Sequence, residues 1–211
     1  MWESLLAFSG AAFVVAMVPG PSTVMIVRHA VTGGRRAGVV TMLGNETGVL
    51  LWGLAAAFGL SALLVASQLA YDVLRITGAA VLVWFGARAL WAARRRGPLA
   101  DEPDGQTPEP VPGLRRGYRA GLVTNLANPK AGVFAVSFLP QFVPHGVPVP
   151  VALVGFSALW AVIDGIWYSG VIWLAGRVRR VLARASVRRR MEQISGLVLV
   201  GLGVRIAAES R

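Results

Sequence analysis

Between Ser4 and Val27 the chain runs for 24 residues without a charged side chain. At about 1.5 Å per residue, a helix of that length crosses the roughly 30 Å of hydrocarbon in a bilayer. The pattern then recurs. Ala37 to Tyr71 holds one charge, Glu46, and Gly121 to Gly176 holds two, Lys130 and Asp164. Pro144 to Pro150 divides the last stretch. Four long spans are expected, at 4–27, 38–66, 119–142 and 148–175. Two shorter ones are expected at 72–92 and 191–208. Each of these has a core of 12 uncharged residues, Ile76–Ala87 and Gln193–Val204. Their flanking Arg75, Arg88 and Arg205 must snorkel to the interface. The fold class expected is an all-α polytopic membrane protein with six transmembrane helices.

Composition agrees. The chain is 55% hydrophobic and 15% charged, yet its net charge is +11. Soluble domains carry roughly 25% charged residues, spread over the whole surface. Here 17 of 20 arginines fall in the connections after the first, third and fifth spans. The positive-inside rule puts those connections in the cytoplasm and both termini outside. A basic nucleic-acid binder would interleave its arginines with polar faces, whereas these flank apolar runs. With no cysteine, disulfides and thiolate chemistry are excluded. The two histidines, His29 and His145, are isolated and make a poor zinc site. Met1-Trp2-Glu3 lacks the basic start of a signal peptide, so the first segment reads as a retained helix.

Residues 94–114 carry five prolines and four acids with little apolar content. A flexible cytoplasmic linker is expected there, between a first three-helix unit at 1–93 and a second at 115–211. The closing helices of the two units are alike. Ile76-Thr77-Gly78 precedes Gly86-Ala87-Arg88, and Ile194-Ser195-Gly196 precedes Gly203-Val204-Arg205. A three-span unit repeated once is inverted in the membrane, as in many secondary transporters. The opening helices correspond too. The first contains Pro19-Gly20-Pro21 and the fourth Asn128-Pro129-Lys130. Interior proline removes a donor and clashes one turn back, so helices 1 and 4 are expected to be broken at proline. Freed carbonyls and amides in lipid need a partner from protein, water or ligand. Matched breaks are therefore the best sequence pointer to a transporter's binding site.

Glu46, Lys130 and Asp164 are the ionisable residues well inside the long spans, and such residues are costly and usually functional. Counted from the cytoplasmic ends, they fall about 12–16 Å deep. Pro19–Pro21, Asn45, Asn125 and Asn128 share that slab. The layer suits a zwitterion, its carboxylate near freed N–H groups and Lys130, its ammonium near Glu46 or Asp164. Burial also disfavours a bare carboxylate, which lets such an acid carry a proton. Pairing with a base to hold helices together is the alternative for each acid. The Trp167-Tyr168 pair, one turn from Asp164, is a further candidate contact. Gly44-x-x-x-Gly48 and Gly117-x-x-x-Gly121 allow close helix approach.

Pro19-Gly20-Pro21 followed by Gly34-Arg35-Arg36-Ala37-Gly38 resembles the LysE/RhtB family of amino-acid exporters. So do Thr124-Asn125-Leu126, Asn128-Pro129-Lys130 and Phe138-Leu139-Pro140-Gln141-Phe142 in that order. The resemblance runs from about residue 5 to 206, the linker excepted. It implies an inner-membrane exporter of amino acids driven by the proton gradient. Substrate-binding candidates are then Pro19, Gly20, Pro21, Asn45, Asn125, Asn128, Pro129, Lys130 and Trp167. Asp164 and Glu46 are the proton-coupling candidates, the latter on depth alone. Expected partners are a small amino acid, protons and the lipid bilayer, with a homodimer left open; no nucleic acid, metal or cofactor is expected. A membrane enzyme is disfavoured, since both histidines lie at span ends and no buried nucleophile–base set is visible. A transporter of another small solute or a metal ion is the alternative, although Lys130 would oppose a cation.

Overall fold

The computed structural model describes residues 2–17, 20–66, 113–144, 146–177 and 185–208, with isolated positions between 73 and 94. Pro19, His145 and residues 95–112, the bulk of the expected linker, lie outside the described residues. Among the described residues every regular element is helical. In chain order they are α1 (Trp2–Met17), α2 (Pro21–Thr32), α3 (Gly34–Ala66), α4 (Leu114–Leu126) and α5 (Pro129–Val133). A π-helical turn (Phe134–Phe138) and a 3-10 turn (Leu139–Phe142) follow, then α6 (Val149–Trp173) and α7 (Ala185–Ala208).

Two of these, Gly34–Gly59 and Val149–Trp173, are each long and apolar enough to cross a membrane. A third crossing is available if Ser4–Met17 and Pro21–Thr32, inclined at 60°, form one bent span. The expected span 119–142 is not one helix. It divides at Ala127 and Asn128, and Pro140 converts its far end into 3-10 geometry, since proline cannot donate to the helical ladder.

The α2–α3 junction explains the Gly34-Arg35-Arg36-Ala37-Gly38 motif. Gly34 takes φ +77°, a left-handed conformation that glycine adopts without a Cβ clash. Gly38 then passes so close to Ala30 that an added Cβ would lie 2.7 Å from the Ala30 Cβ. The guanidinium of Arg35 sits 5.9 Å from the ring centre of Trp173, so the start of α3 and the end of α6 lie level.

The α3–α4 crossing is closer still. A Cβ on Gly44 would collide with the carbonyl oxygen of Tyr118, and one on Gly121 with that of Thr41. Gly48 likewise makes room for the Asn125 side chain. The two small-residue motifs thus pack against each other, backbone on backbone, as small residues do between membrane helices. Gly86 and Gly196 meet in the same way, each blocked by the other's carbonyl oxygen at 2.7 Å.

Two apolar clusters fill the interior. The larger joins Phe8, Phe134, Phe138, Phe142, Phe156 and Trp160, with ring centres of neighbouring pairs 4.7–6.2 Å apart. The smaller joins Ile26, Ala30, Met42, Tyr168, Ile172 and Ala175. Large apolar side chains such as Phe58, Val123, Val151 and Ile166 point outward. In water they would be a liability; against lipid they are the expected surface.

Candidate functional site

A small polar cavity lies between the two apolar clusters. On α6, Trp160, Asp164 and Tyr168 face it at successive helical turns. Val15, Ala16, Gly20, Ser22 and Thr23 face it from α1 and α2. Asn45 comes from α3, and Asn125, Asn128, Lys130 and Ala131 from the α4–α5 junction. It is narrow, with a volume of about 20 Å³. That is room for about one water, far less than an amino acid needs.

Two helices start here, each on a proline. Gly20 is extended (φ −136°, ψ −174°) and Pro21 opens α2, with no side chain capping the helix start. Asn128 is also extended (φ −83°, ψ 107°), and Pro129 opens α5. The Asn128 carboxamide oxygen accepts from the Lys130 N–H at 3.1 Å, a side-chain N-cap. Proline at the first helical position loses no bond, because that N–H has no partner within the helix anyway.

Each proline also leaves a carbonyl one turn earlier without its helical donor. Pro129 orphans Asn125, whose carbonyl accepts from the Trp52 indole at 3.4 Å and from the Asn128 N–H at 2.9 Å. The Trp52 ring lies against Gly132, where an added Cβ would meet it at 3.0 Å. Val15, in the last turn of α1, also presents its carbonyl to this region. The Lys130 ammonium donates to that carbonyl at 3.1 Å.

The amides are joined in a chain. Asn125 Nδ2 donates to Asn45 Oδ1, and Asn45 Nδ2 donates to Glu46 Oε1, both at 3.1 Å. Glu46 is buried behind this chain rather than on the cavity wall, within electrostatic reach of Asp164. Asp164 also feels the charge of Lys130. Thr23 Oγ1 and Tyr168 OH stand 3.5 Å apart at one edge. Toward the α2–α3 turn, His29 Nδ1 and Thr41 Oγ1 are 2.6 Å apart and both buried.

Three buried polar atoms here have no hydrogen-bond partner: Ser22 Oγ and Asn125 Oδ1 on cavity residues, and Glu46 Oε2 beside them. Buried polar groups are nearly always paired, so these atoms call for an explanation.

The structure therefore brings Gly20, Asn45, Asn125, Asn128, Lys130 and Asp164 to one cavity. Pro21 and Pro129 shape it without lining it. Pro19 lies outside the described residues. Trp167 does not line it; its ring packs edge-on against Phe13, with centres 5.7 Å apart. Its neighbour Tyr168 lines the wall instead, because a step of four residues along a helix keeps the direction of Asp164 better than a step of three. Tyr168 belongs to the Trp167-Tyr168 pair read from sequence, whereas Ser22, Thr23 and Trp160 carry no such mark there. The turn spacing from Asp164 and the first turn after Pro21 would have pointed to them. Among the described residues no three His, Cys, Asp or Glu side chains gather as metal ligands do.

Residues 13–210 match the family model for LysE type translocators. The chain is 28% identical to a leucine efflux protein of Klebsiella pneumoniae, over 94% of this chain and 91% of that one. It is 30% identical to an uncharacterized membrane protein of Vibrio cholerae, over 96% and 95%. It is 23% identical to the uncharacterized membrane protein YrhP of Bacillus subtilis, over 96% and 98%. No solved structure matches it. These matches run nearly end to end and span both sides of the cavity, so the protein is a membrane translocator and belongs to the LysE family.

Proposed function

We propose that this translocator is a secondary exporter of a small amino acid or amino-acid derivative, working by proton antiport with alternating access. The observation that carries the reading is the cavity itself. It sits between two apolar clusters, is lined by Asp164, Lys130 and three asparagines, and contains unpartnered buried polar atoms. Relatives named as leucine efflux proteins support an amino acid as the cargo.

In this reading Gly20, Asn45, Asn125, Asn128 and Lys130 contact the substrate, and Pro19, Pro21 and Pro129 keep the backbone open around it. Asp164 exchanges the proton, with Glu46 as the second acid of the pair. A buried acid binds either a proton or a cationic group, and that competition is what antiport requires. The narrowness of the cavity means that the helices part to admit cargo, on one side at a time. Six spans in two inverted three-helix units supply such a motion. The similar starts of α2 and α5, each an extended residue followed by proline, support the repeat. The arginine distribution supports an inner-membrane protein with both termini outside.

Purified protein in proteoliposomes, offered labelled amino acids under an imposed pH gradient, tests the proposal. Gradient-dependent movement of at least one amino acid is expected. Folded protein that moves none contradicts it.

A further inference from the structure

The cavity wall carries two chemically different sets of groups. One is the first turn of α2, a 12-residue helix whose start no side chain caps. The N–H of Val24 is bonded to the Gly20 carbonyl, and Pro21 has no N–H. The N–H groups of Ser22 and Thr23 precede the first carbonyl they could reach within the helix. Both residues are buried and line the cavity, and the Ser22 hydroxyl, 6% exposed as a residue, has no partner. The Lys130 ammonium lies beside them, 3.7 Å from where a Cβ on Gly20 would stand. Donors, a helix dipole and a cation thus converge, which is the chemistry that holds an anion. The other is Asp164 on α6, a buried carboxylate on the cavity wall. It offers acceptors and negative charge.

We propose that Ser22 and Thr23 at the start of α2 form a carboxylate subsite and Asp164 an ammonium subsite, so that cargo must carry both groups, as an α-amino acid does. This rests on the exporter reading above and sharpens it. Lys130 then supplies field rather than the main contact, because its ammonium is already engaged by the Val15 carbonyl. A molecule without the carboxylate leaves the Ser22 hydroxyl and the α2 N–H groups buried and unsatisfied. Sites of this kind reject such analogues strongly.

The test uses the full chain in proteoliposomes. A panel of the common amino acids first identifies the one that leaves fastest. Its α-amide, its decarboxylated amine and its deaminated acid then compete against the labelled amino acid. Wild-type protein is expected to discriminate against amide and amine by about tenfold or more. Ser22→Ala should bring amino acid and amide close to equal, with thermal stability unchanged, since the hydroxyl makes no bond in the protein. Ser22→Cys, which keeps the volume and a weak donor, should fall between them. An amide that competes as well as the amino acid in wild type overturns the subsite while leaving the exporter reading intact. Full discrimination in a folded Ser22→Ala protein does the same. If the folded wild type moves no amino acid, both fall.

Discussion

The Lys130 ammonium donates to the backbone carbonyl of Val15 at 3.1 Å, reaching from α5 to the last turn of α1. The counterpart on the other side is the Trp52 indole on the Asn125 carbonyl, which Pro129 leaves open. A side chain from elsewhere in the fold thus reaches each of these carbonyls, and Val15, Lys130 and Asn125 all line the cavity.

Lys130→Met removes a charged donor from a buried carbonyl, a loss of about 1.5–3 kcal/mol. It also leaves Asp164 without the cation that acts on it. Thermal denaturation in detergent should show a clear drop in midpoint. The double variant Lys130→Met, Asp164→Asn should recover part of it, because the second change removes the uncompensated acid. A double variant no better than the single would show that the two charges are not coupled.

Trp52→Phe keeps the ring against Gly132 but deletes the indole donor. The Asn125 carbonyl retains the Asn128 N–H, so the expected cost is modest, about 0.5–1.5 kcal/mol. Trp52→Ala should cost more, since the ring packing goes as well. Equal stability of the two variants would mean that the hydrogen bond, not the ring, carries the contact.

Glycine substitutions separate packing from composition. Gly44→Ala and Gly121→Ala each put a methyl group into a facing carbonyl and should yield little monodisperse protein after extraction. Gly155→Ala and Gly165→Ala on α6 meet nothing within 4 Å and should extract like wild type. Equal behaviour of all four would contradict the backbone-on-backbone crossing of α3 and α4.

What could be read from sequence follows the range of each interaction. Pro21 and Pro129 announce helix starts because proline chemistry is local, and charge-free runs announce spans because lipid excludes charge. Glu46 and Asp164 lie well inside the helices that the sequence expects for them. Counted along the helices now described, they lie about 18 Å from Gly34 and about 14 Å from Trp173. The small-residue spacing at Gly44 and Gly121 was visible, but not that the two motifs are partners, which depends on tertiary packing. The same holds for the π-helical turn at Phe134–Phe138, where aromatic contacts with Phe8 and Trp160 decide the geometry. Ser22 is not legible in the sequence because a serine in an apolar run carries no local mark. Only the direction in which the helix turns it gives it a role.

The most direct test of Asp164 as the exchanging acid is gradient-driven efflux by the Asp164→Asn protein. Proteoliposomes holding the labelled amino acid would be given an imposed pH gradient, with wild-type and variant protein reconstituted in equal amounts and shown to be folded. Wild-type efflux should rise with the gradient, and the variant's should not respond to it. A variant whose efflux responds to the gradient as the wild type does would contradict the assignment.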